Sequence, residues 1–232
     1  MSPVIDCTTE EGLAHGIEAA VAALHAGELV VLPTDTVYGL GVDAFSADAV
    51  TTVLLVKGRG REMPPPVLVQ SQRTVDGLAT NVPVYVRDLI EAFWPGPLTI
   101  VLQSQSSLMW DLGETNGTVA LRMPNDDVAL RLLAEVGPMA VSSANVSGQP
   151  PAKTAQEAEA QLASSVSIYL DAGPRPGGLA STILDCSNEA PVILRAGAVS
   201  FDQIQEVLGE IELGQQAEPD SPSSPTSEQP IE

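Results

Sequence analysis

Residues 166–195 read VSIYLDAGPRPGGLASTILDCSNEAPVILR. Three short aliphatic runs stand here in succession, near Ile168, from Ser181 to Leu184 and from Val192 to Leu194, with Gly/Pro-rich or Ser/Asn turns between them. A parallel pair of strands needs a crossover of a dozen or more residues, usually a helix, so strands arriving without helices argue for a mixed sheet. Upstream the order is different. Helix-period and strand-period segments alternate from residue 9 onward, and the two halves together give an α/β (α+β) chain folded as one domain.

The upstream elements follow from local signals. Leu13, Ile17, Val21 and Leu24 recur at helical spacing between a cap at Thr8 or Thr9 and a stop at Gly27. Glu28 to Leu32 reads as a buried strand ended by Pro33, and the stretch through Gly39 and Gly41 as a loop. Ser46 caps a helix running toward Lys57. A strand is expected over Val67 to Val69, helices near Thr74 to Ala79 and from Val84 to Phe93, and a strand from Leu98 to Leu102. Next come a strand from Thr118 to Arg122, a helix from Asp126 to Val136, a strand from Met139 to Ser142 and a helix from Thr154 to Leu162. A last helix spans about Phe201 to Leu208. Residues 1–213 form the globular domain. Residues 214–232 hold four prolines, four serines, four acids and no Lys or Arg, the composition of a disordered acidic tail.

Composition narrows the function. Of the 232 residues 44% are apolar and only 3% aromatic, so the core is aliphatic. Ten Lys and Arg face thirty Asp and Glu, a formal charge of −20, and such a surface repels phosphate backbones. A non-specific nucleic-acid binder is not expected. Cys7 and Cys186 fit no metal or redox spacing, which points to a reducing compartment. His15 and His25 lie ten apart on one helix, about 80° from a shared face, and cannot jointly hold a metal. No apolar run reaches the roughly 18 residues that span a bilayer, and no basic segment precedes an apolar one at the N-terminus. A soluble cytoplasmic protein without a membrane is expected.

Common catalytic signatures are absent: no GxxxxGK[ST], G-x-S-x-G, HExxH or paired CxxC occurs. Gly39-x-Gly41 mimics a dinucleotide fingerprint, but seven residues separate it from the preceding strand end, where that motif needs a tight turn. The positive charge, by contrast, is concentrated. Lys57, Arg59 and Arg61 use three of ten cations within five residues around flexible glycines, either a solvated basic turn or a phosphate site. Thr118 and Arg122 lie four apart on one strand and share a face. The run Val141-Ser-Ser143-Ala-Asn145-Val-Ser147-Gly148 leads a strand into small polar residues that let a ligand approach backbone. Ser181 and Thr182 open a late strand and Arg195 closes another. Phe93 to Thr99 reads chiefly as scaffold.

Taken in order, Pro33-Thr-Asp-Thr-Val-Tyr-Gly-Leu-Gly41, Lys57-Gly-Arg59, Trp94-Pro-Gly-Pro-Leu-Thr99, Ser143-Ala-Asn-Val-Ser-Gly148, Ser181-Thr-Ile-Leu-Asp185 and Leu194-Arg195 resemble the YrdC-like family of threonylcarbamoyl-AMP synthases in its single-domain form. The resemblance covers about residues 12 to 210. It implies a twisted mixed sheet with flanking helices around a concave cavity. It also implies a nucleotidyltransferase converting L-threonine, bicarbonate and ATP, with Mg²⁺ on the ATP, into L-threonylcarbamoyl-AMP and pyrophosphate. A separate transferase complex would then modify the adenosine beside the anticodon of tRNA.

Carried onto this chain, the resemblance assigns catalytic charge to Lys57, Arg59 and Arg195. It assigns ATP contacts to those three with Arg61, Thr118, Ser143 and Asn145, and threonine contacts to Thr36, Arg122, Val141 and Ser181. No protein metal ligand is implied. The chain departs from the family after Arg59, where Gly60 replaces a proline and Met63 stands near an expected asparagine. Either Leu68 or Gln70 occupies the place of a family histidine. A non-catalytic RNA-binding module is the alternative reading, and the net charge opposes it.

Overall fold

The computed structural model describes residues 2–175 and 179–215. The elements run in chain order as β1 (Val4–Asp6), α1 (Glu10–His25), β2 (Val30–Leu32), β3 (Gly39–Asp43), α2 (Ala47–Val56), β4 (Val67–Leu68), α3 (Val75–Leu78) and β5 (Ala79–Thr80). They continue as α4 (Val84–Phe93), β6 (Leu98–Ser104), β7 (Thr118–Arg122), α5 (Asp127–Val136), β8 (Met139–Ser143), α6 (Ala155–Leu162) and β9 (Ile168–Asp171). The last four are β10 (Thr182–Asp185), β11 (Val192–Arg195), α7 (Phe201–Leu208) and β12 (Gly214–Gln215).

All strands join one sheet in the order β1-β9-β2-β3-β8-β4-β7-β6-β10-β11-β12, with β5 beside β6. The sheet is mixed, as the succession of late strands requires. β10 lies antiparallel to β11 through a short turn, while β6 and β10, far apart in sequence, run parallel.

Helix starts follow their caps. The side chains of Thr9, Ser46, Asp126, Thr154 and Ser200 each accept a bond from a backbone N–H three residues on, satisfying donors that the first turn leaves free. Strand alternation then divides the core. Val31, Leu40, Leu98, Ile100, Leu121, Leu184 and Ile193 point to the face covered by α2, α4, α6 and α7. Val30, Leu32, Met139 and Val141 point to the other face, where α1 and α5 pack together over only part of the sheet. The strands beyond that cover present Thr99, Arg122, Ile183 and Arg195 on the same side, and there the functional cavity lies.

Three expectations need correction. Gly39 and Gly41 lie in strand β3, paired to β2 through Leu32↔Gly39 and to β8 through Gly39↔Ser143 and Gly41↔Val141, not in a loop. The glycines mark a close approach: a Cβ at Gly39 would sit 2.5 Å from Val141 Cγ1. Strands β1 and β5 carry too few residues for a periodic signal. Gly214 and Gln215, assigned to the tail, pair with Val192 and Ile193 as β12, and the remainder of that expected tail lies outside the described residues. Among the described residues no helix is long and apolar enough to cross a membrane.

Gly39→Ala is expected to lower the unfolding free energy by about 1–3 kcal/mol through overpacking, and adding Val141→Ala to recover part of it, measured by urea unfolding. Both free cysteines are buried. Burial chiefly, with Asp6 and Asp171 nearby, pushes the Cys7 thiol up to about 11, and burial pushes Cys186 up to about 12. A thiol reagent at pH 8 should therefore label neither in the native protein and both in urea. Because both native values exceed the ordinary 9.0, the unfolded chain loses these protons first, and the two thiols reduce stability as pH rises above 9.

Candidate active site

The cavity holds about 350 Å³ and is walled by residues from several separated segments of sequence. Thr34, Thr36, Val37 and Tyr38 come from the β2–β3 connection, Gly39 from the start of β3, and Arg59, Met63, Pro64, Pro66 and Leu68 from the chain between α2 and the end of β4. Thr99 stands on β6, Arg122 on β7, Val141, Ser142 and Ser143 on β8. Ala180, Ser181, Ile183 and Arg195 complete the wall from β10, its lead-in and β11.

Three guanidinium groups converge there and differ in how they are neutralised. Arg122 is buried. It donates from Nη2 to Asp35 Oδ1 at 2.6 Å, from Nη1 to Thr36 Oγ1 at 3.2 Å and from Nε to the Gly96 carbonyl at 3.0 Å. Two of its five N–H groups remain, one on each terminal nitrogen. Among the described residues Arg59 donates only to Ser142 Oγ, at 3.2 Å, and Arg195 donates to the Ser181 carbonyl at 2.7 Å and its hydroxyl at 3.1 Å. Neither has a carboxylate partner among the described residues. Burial and then repulsion from Arg122 and Arg59 lower the pKa of Arg195, the signature of cations crowded around one space. In a chain of net charge −20, this cavity gathers positive charge suited to an anion.

The wall is supported from behind. Asp35 Oδ1 also accepts the Asn125 N–H at 3.0 Å, so the β2–β3 connection, Arg122 and the start of α5 are tied together. Gly197 lets the turn after β11 lie on the 180–182 backbone, since a Cβ there would be 2.5 Å from the Ala180 carbonyl oxygen. This holds Ser181 under Arg195.

Comparison with known proteins shows the family. The Sua5/YciO/YrdC family model, described as "Telomere recombination", matches residues 22–197. The chain belongs to the Sua5/YciO/YrdC family. A Mycobacterium tuberculosis protein provisionally named a threonylcarbamoyl-AMP synthase is 53% identical over 90% of this chain and 96% of its own. The Bacillus subtilis threonylcarbamoyl-AMP synthase is 37% identical over 85% of this chain and 58% of its own. The structure of Pyrococcus abyssi Sua5 complexed with L-threonine superimposes with a TM-score of 0.84 at 33% identity, covering 92% of this chain. This chain spans 62% of that protein's length. Escherichia coli YciO shares the fold, with a TM-score of 0.78 at 21% identity.

Of the residues that the Sua5/YciO/YrdC resemblance nominates, Thr36, Arg59, Arg122, Val141, Ser143, Ser181 and Arg195 all line the cavity. Four do not. Lys57 is fully buried, and its Nζ donates to the Ser143 carbonyl at 2.6 Å, to Asn145 Oδ1 at 2.7 Å and to the Asn145 carbonyl. Burial first, then Arg59, lower its pKa to about 8. It organises the 143–145 turn rather than facing the cavity. Asn145 is the other half of that contact, and its Nδ2 donates to the Gln149 carbonyl at 2.7 Å. Arg61 is exposed and pairs with Asp111 at 2.7 Å. Thr118 shares a face with Arg122, but it lies four strand positions away, about 13 Å, and donates to the Thr115 carbonyl.

Val141 lines the cavity, but its N–H is bound to the Pro66 carbonyl at 2.9 Å, so that donor is not offered to a ligand. At the position where the family places a histidine, Leu68 faces the cavity and Gln70 is exposed. Thr34, Thr99 and Ser142 are wall residues that sequence reasoning left out. Thr99 had been read as scaffold, although its place between Leu98 and Ile100 signals a side chain on the opposite face from the core.

Lys57→Met should cost roughly 2–4 kcal/mol, because the oxygens around Nζ would be left buried without a donor, whereas Arg61→Ala should change stability by under about 0.5 kcal/mol. Chemical unfolding of both variants checks this.

Proposed function

We propose that this chain is a threonylcarbamoyl-AMP synthase that converts L-threonine, bicarbonate and ATP into L-threonylcarbamoyl-AMP, pyrophosphate and water in the modification of tRNA. The observation that carries the proposal is the set of three arginines on one cavity, two without acidic partners, in a chain whose surface is otherwise strongly acidic. The names of the M. tuberculosis and B. subtilis relatives and the L-threonine complex of P. abyssi Sua5 support the same chemistry.

Each residue takes a role from its surroundings. Arg59 and Arg195, with neutral partners only, hold the phosphates of ATP, and Ser143 contacts the nucleotide beside them. Arg122 keeps one N–H on each terminal nitrogen, a fork suited to the threonine carboxylate, with Thr36, Ser181 and the Val141 side chain around the amino acid. The threonine amine attacks the carbon of bicarbonate to form a carbamate and release water, and a carbamate oxygen then attacks the α-phosphorus and expels pyrophosphate. No protein nucleophile is required, so catalysis consists of positioning and of guanidinium charge at the phosphates.

Mg²⁺ enters with ATP. Its ligands would be the nucleotide's own phosphates and water. Outside the cavity, Arg61, Arg87, Arg131 and Arg175 each pair with an acid. That pairing disfavours the RNA-binding alternative and supports a division of labour in which other proteins handle tRNA.

The test is incubation of purified protein with threonine, bicarbonate, Mg²⁺ and α-labelled ATP. Threonine-dependent labelled adenylate with pyrophosphate is expected, and its absence overturns the proposal. Arg59→Ala and Arg195→Ala should raise the KM for ATP by about tenfold or more, and Arg122→Ala that for threonine.

A further inference from the structure

Four cavity residues stand side by side across the sheet. Thr99 on β6 is paired with Ile183 on β10, and Ile183 with Arg195 on β11. On its other side β6 runs antiparallel to β7 with Ile100 opposite Leu121, which sets Thr99, one residue back, beside Arg122, one residue on. All four residues line the cavity, so Thr99 lies in the row between Arg122 and Arg195, whose strands are three spacings, roughly 14 Å, apart. Ser181, two residues before Ile183, lines the same cavity, and its Oγ is 2.8 Å from Thr99 Oγ1.

The hydrogens of this pair can be counted. Thr99 and Ser181 are buried, 1% and 6% exposed. Arg195 Nη2 donates to Ser181 Oγ at 3.1 Å, and a guanidinium offers no acceptor in return. The two hydroxyls hold two hydrogens between them. Their mutual contact uses one, whichever oxygen donates, and among the described residues no acceptor takes the other. In either orientation the pair brings one unspent O–H donor to the cavity wall, midway along the row that Arg122 and Arg195 end.

We infer that the Thr99–Ser181 hydroxyl pair is the bicarbonate subsite, donating to one oxygen of that anion. This rests on the reading given under Proposed function, with the threonine carboxylate on Arg122 and the phosphates on Arg195. The carbon of bicarbonate bonds first to the amine and then, through an oxygen, to the α-phosphorus. It is therefore confined between the two anion positions, which is the stretch that the hydroxyl pair occupies. In the first step the amine lone pair forms the N–C bond while the C=O π pair moves onto oxygen. That pair then returns, the C–OH bond breaks, and the departing hydroxide takes a proton from nitrogen and leaves as water, giving the carbamate. Negative charge grows on the oxygens during addition, and a donor already aimed at one of them stabilises it without reorganisation.

The test titrates bicarbonate in carbon dioxide-free buffer at saturating threonine and ATP. Thr99→Val/Ser181→Ala removes both hydroxyls but leaves the Ser181 carbonyl, which holds Arg195 at 2.7 Å. This double variant should raise the KM for bicarbonate roughly 10- to 100-fold with the KM for ATP within about threefold. Thr99→Ser keeps the hydroxyl and should hold the KM for bicarbonate within about threefold of wild type. A rise below about tenfold in the double variant, an equal rise in the KM for ATP, or an equal rise in Thr99→Ser overturns the inference. If the valine form does not fold, Thr99→Ala/Ser181→Ala carries the same test. Wild-type protein that forms no adenylate at any bicarbonate concentration would instead refute the functional reading itself.

Discussion

A buried ammonium is tolerated only where oxygen surrounds it, and Lys57 meets that condition by drawing the end of β8 toward the end of α2. The Ser143 and Asn145 carbonyls are turned inward, Asn145 is clamped to the Gln149 carbonyl, and Ser147 Oγ donates back to the Lys57 carbonyl. One side chain thereby sets the path of the small polar turn that forms part of the cavity wall. Arg59, two residues on, is delivered to that wall beside Ser142 as a consequence. The lysine acts on the site through backbone shape, and the arginines act on it through charge.

The charge itself is graded. Asp35 neutralises Arg122 in a nearly dry contact, with side chains 8% and 13% exposed, which orients the guanidinium and leaves two donors. Arg59 and Arg195 keep their charge. Under the proposed function a polyanion would gain most from the pair without acidic partners, while a single carboxylate would need orientation more than charge. The fold makes room for this by placing α1 and α5 over only part of one sheet face. The aliphatic core of β6, β7, β10 and β11 faces the opposite helices.

Much of this was legible in the sequence. The mixed sheet followed from strands arriving without crossovers, and α4, β7 and α7 were bounded correctly because capping, alternation and helical period coincide there. The cations at 59, 122 and 195 stood out because the chain has so few. β3 was missed because glycine ordinarily signals a turn. Here it signals strands packed so closely that Val141 leaves no space for a Cβ. Thr118 was misplaced because alternation reports which face a residue occupies and not how far along that face a cavity extends.

By itself the sequence determined the fold class, the family, the acidic balance of charge and seven of the cavity residues, since these depend on local periodicity, composition and motif order. Only the tertiary structure decided which cations remain available. Lys57 and Arg61 look like Arg59 in one dimension, yet one is surrounded by carbonyls 86 and 88 residues away and the other by Asp111, 50 residues away. Hydrogen-bond partnership is a property of atoms brought together across the fold, and no spacing rule along the chain encodes it.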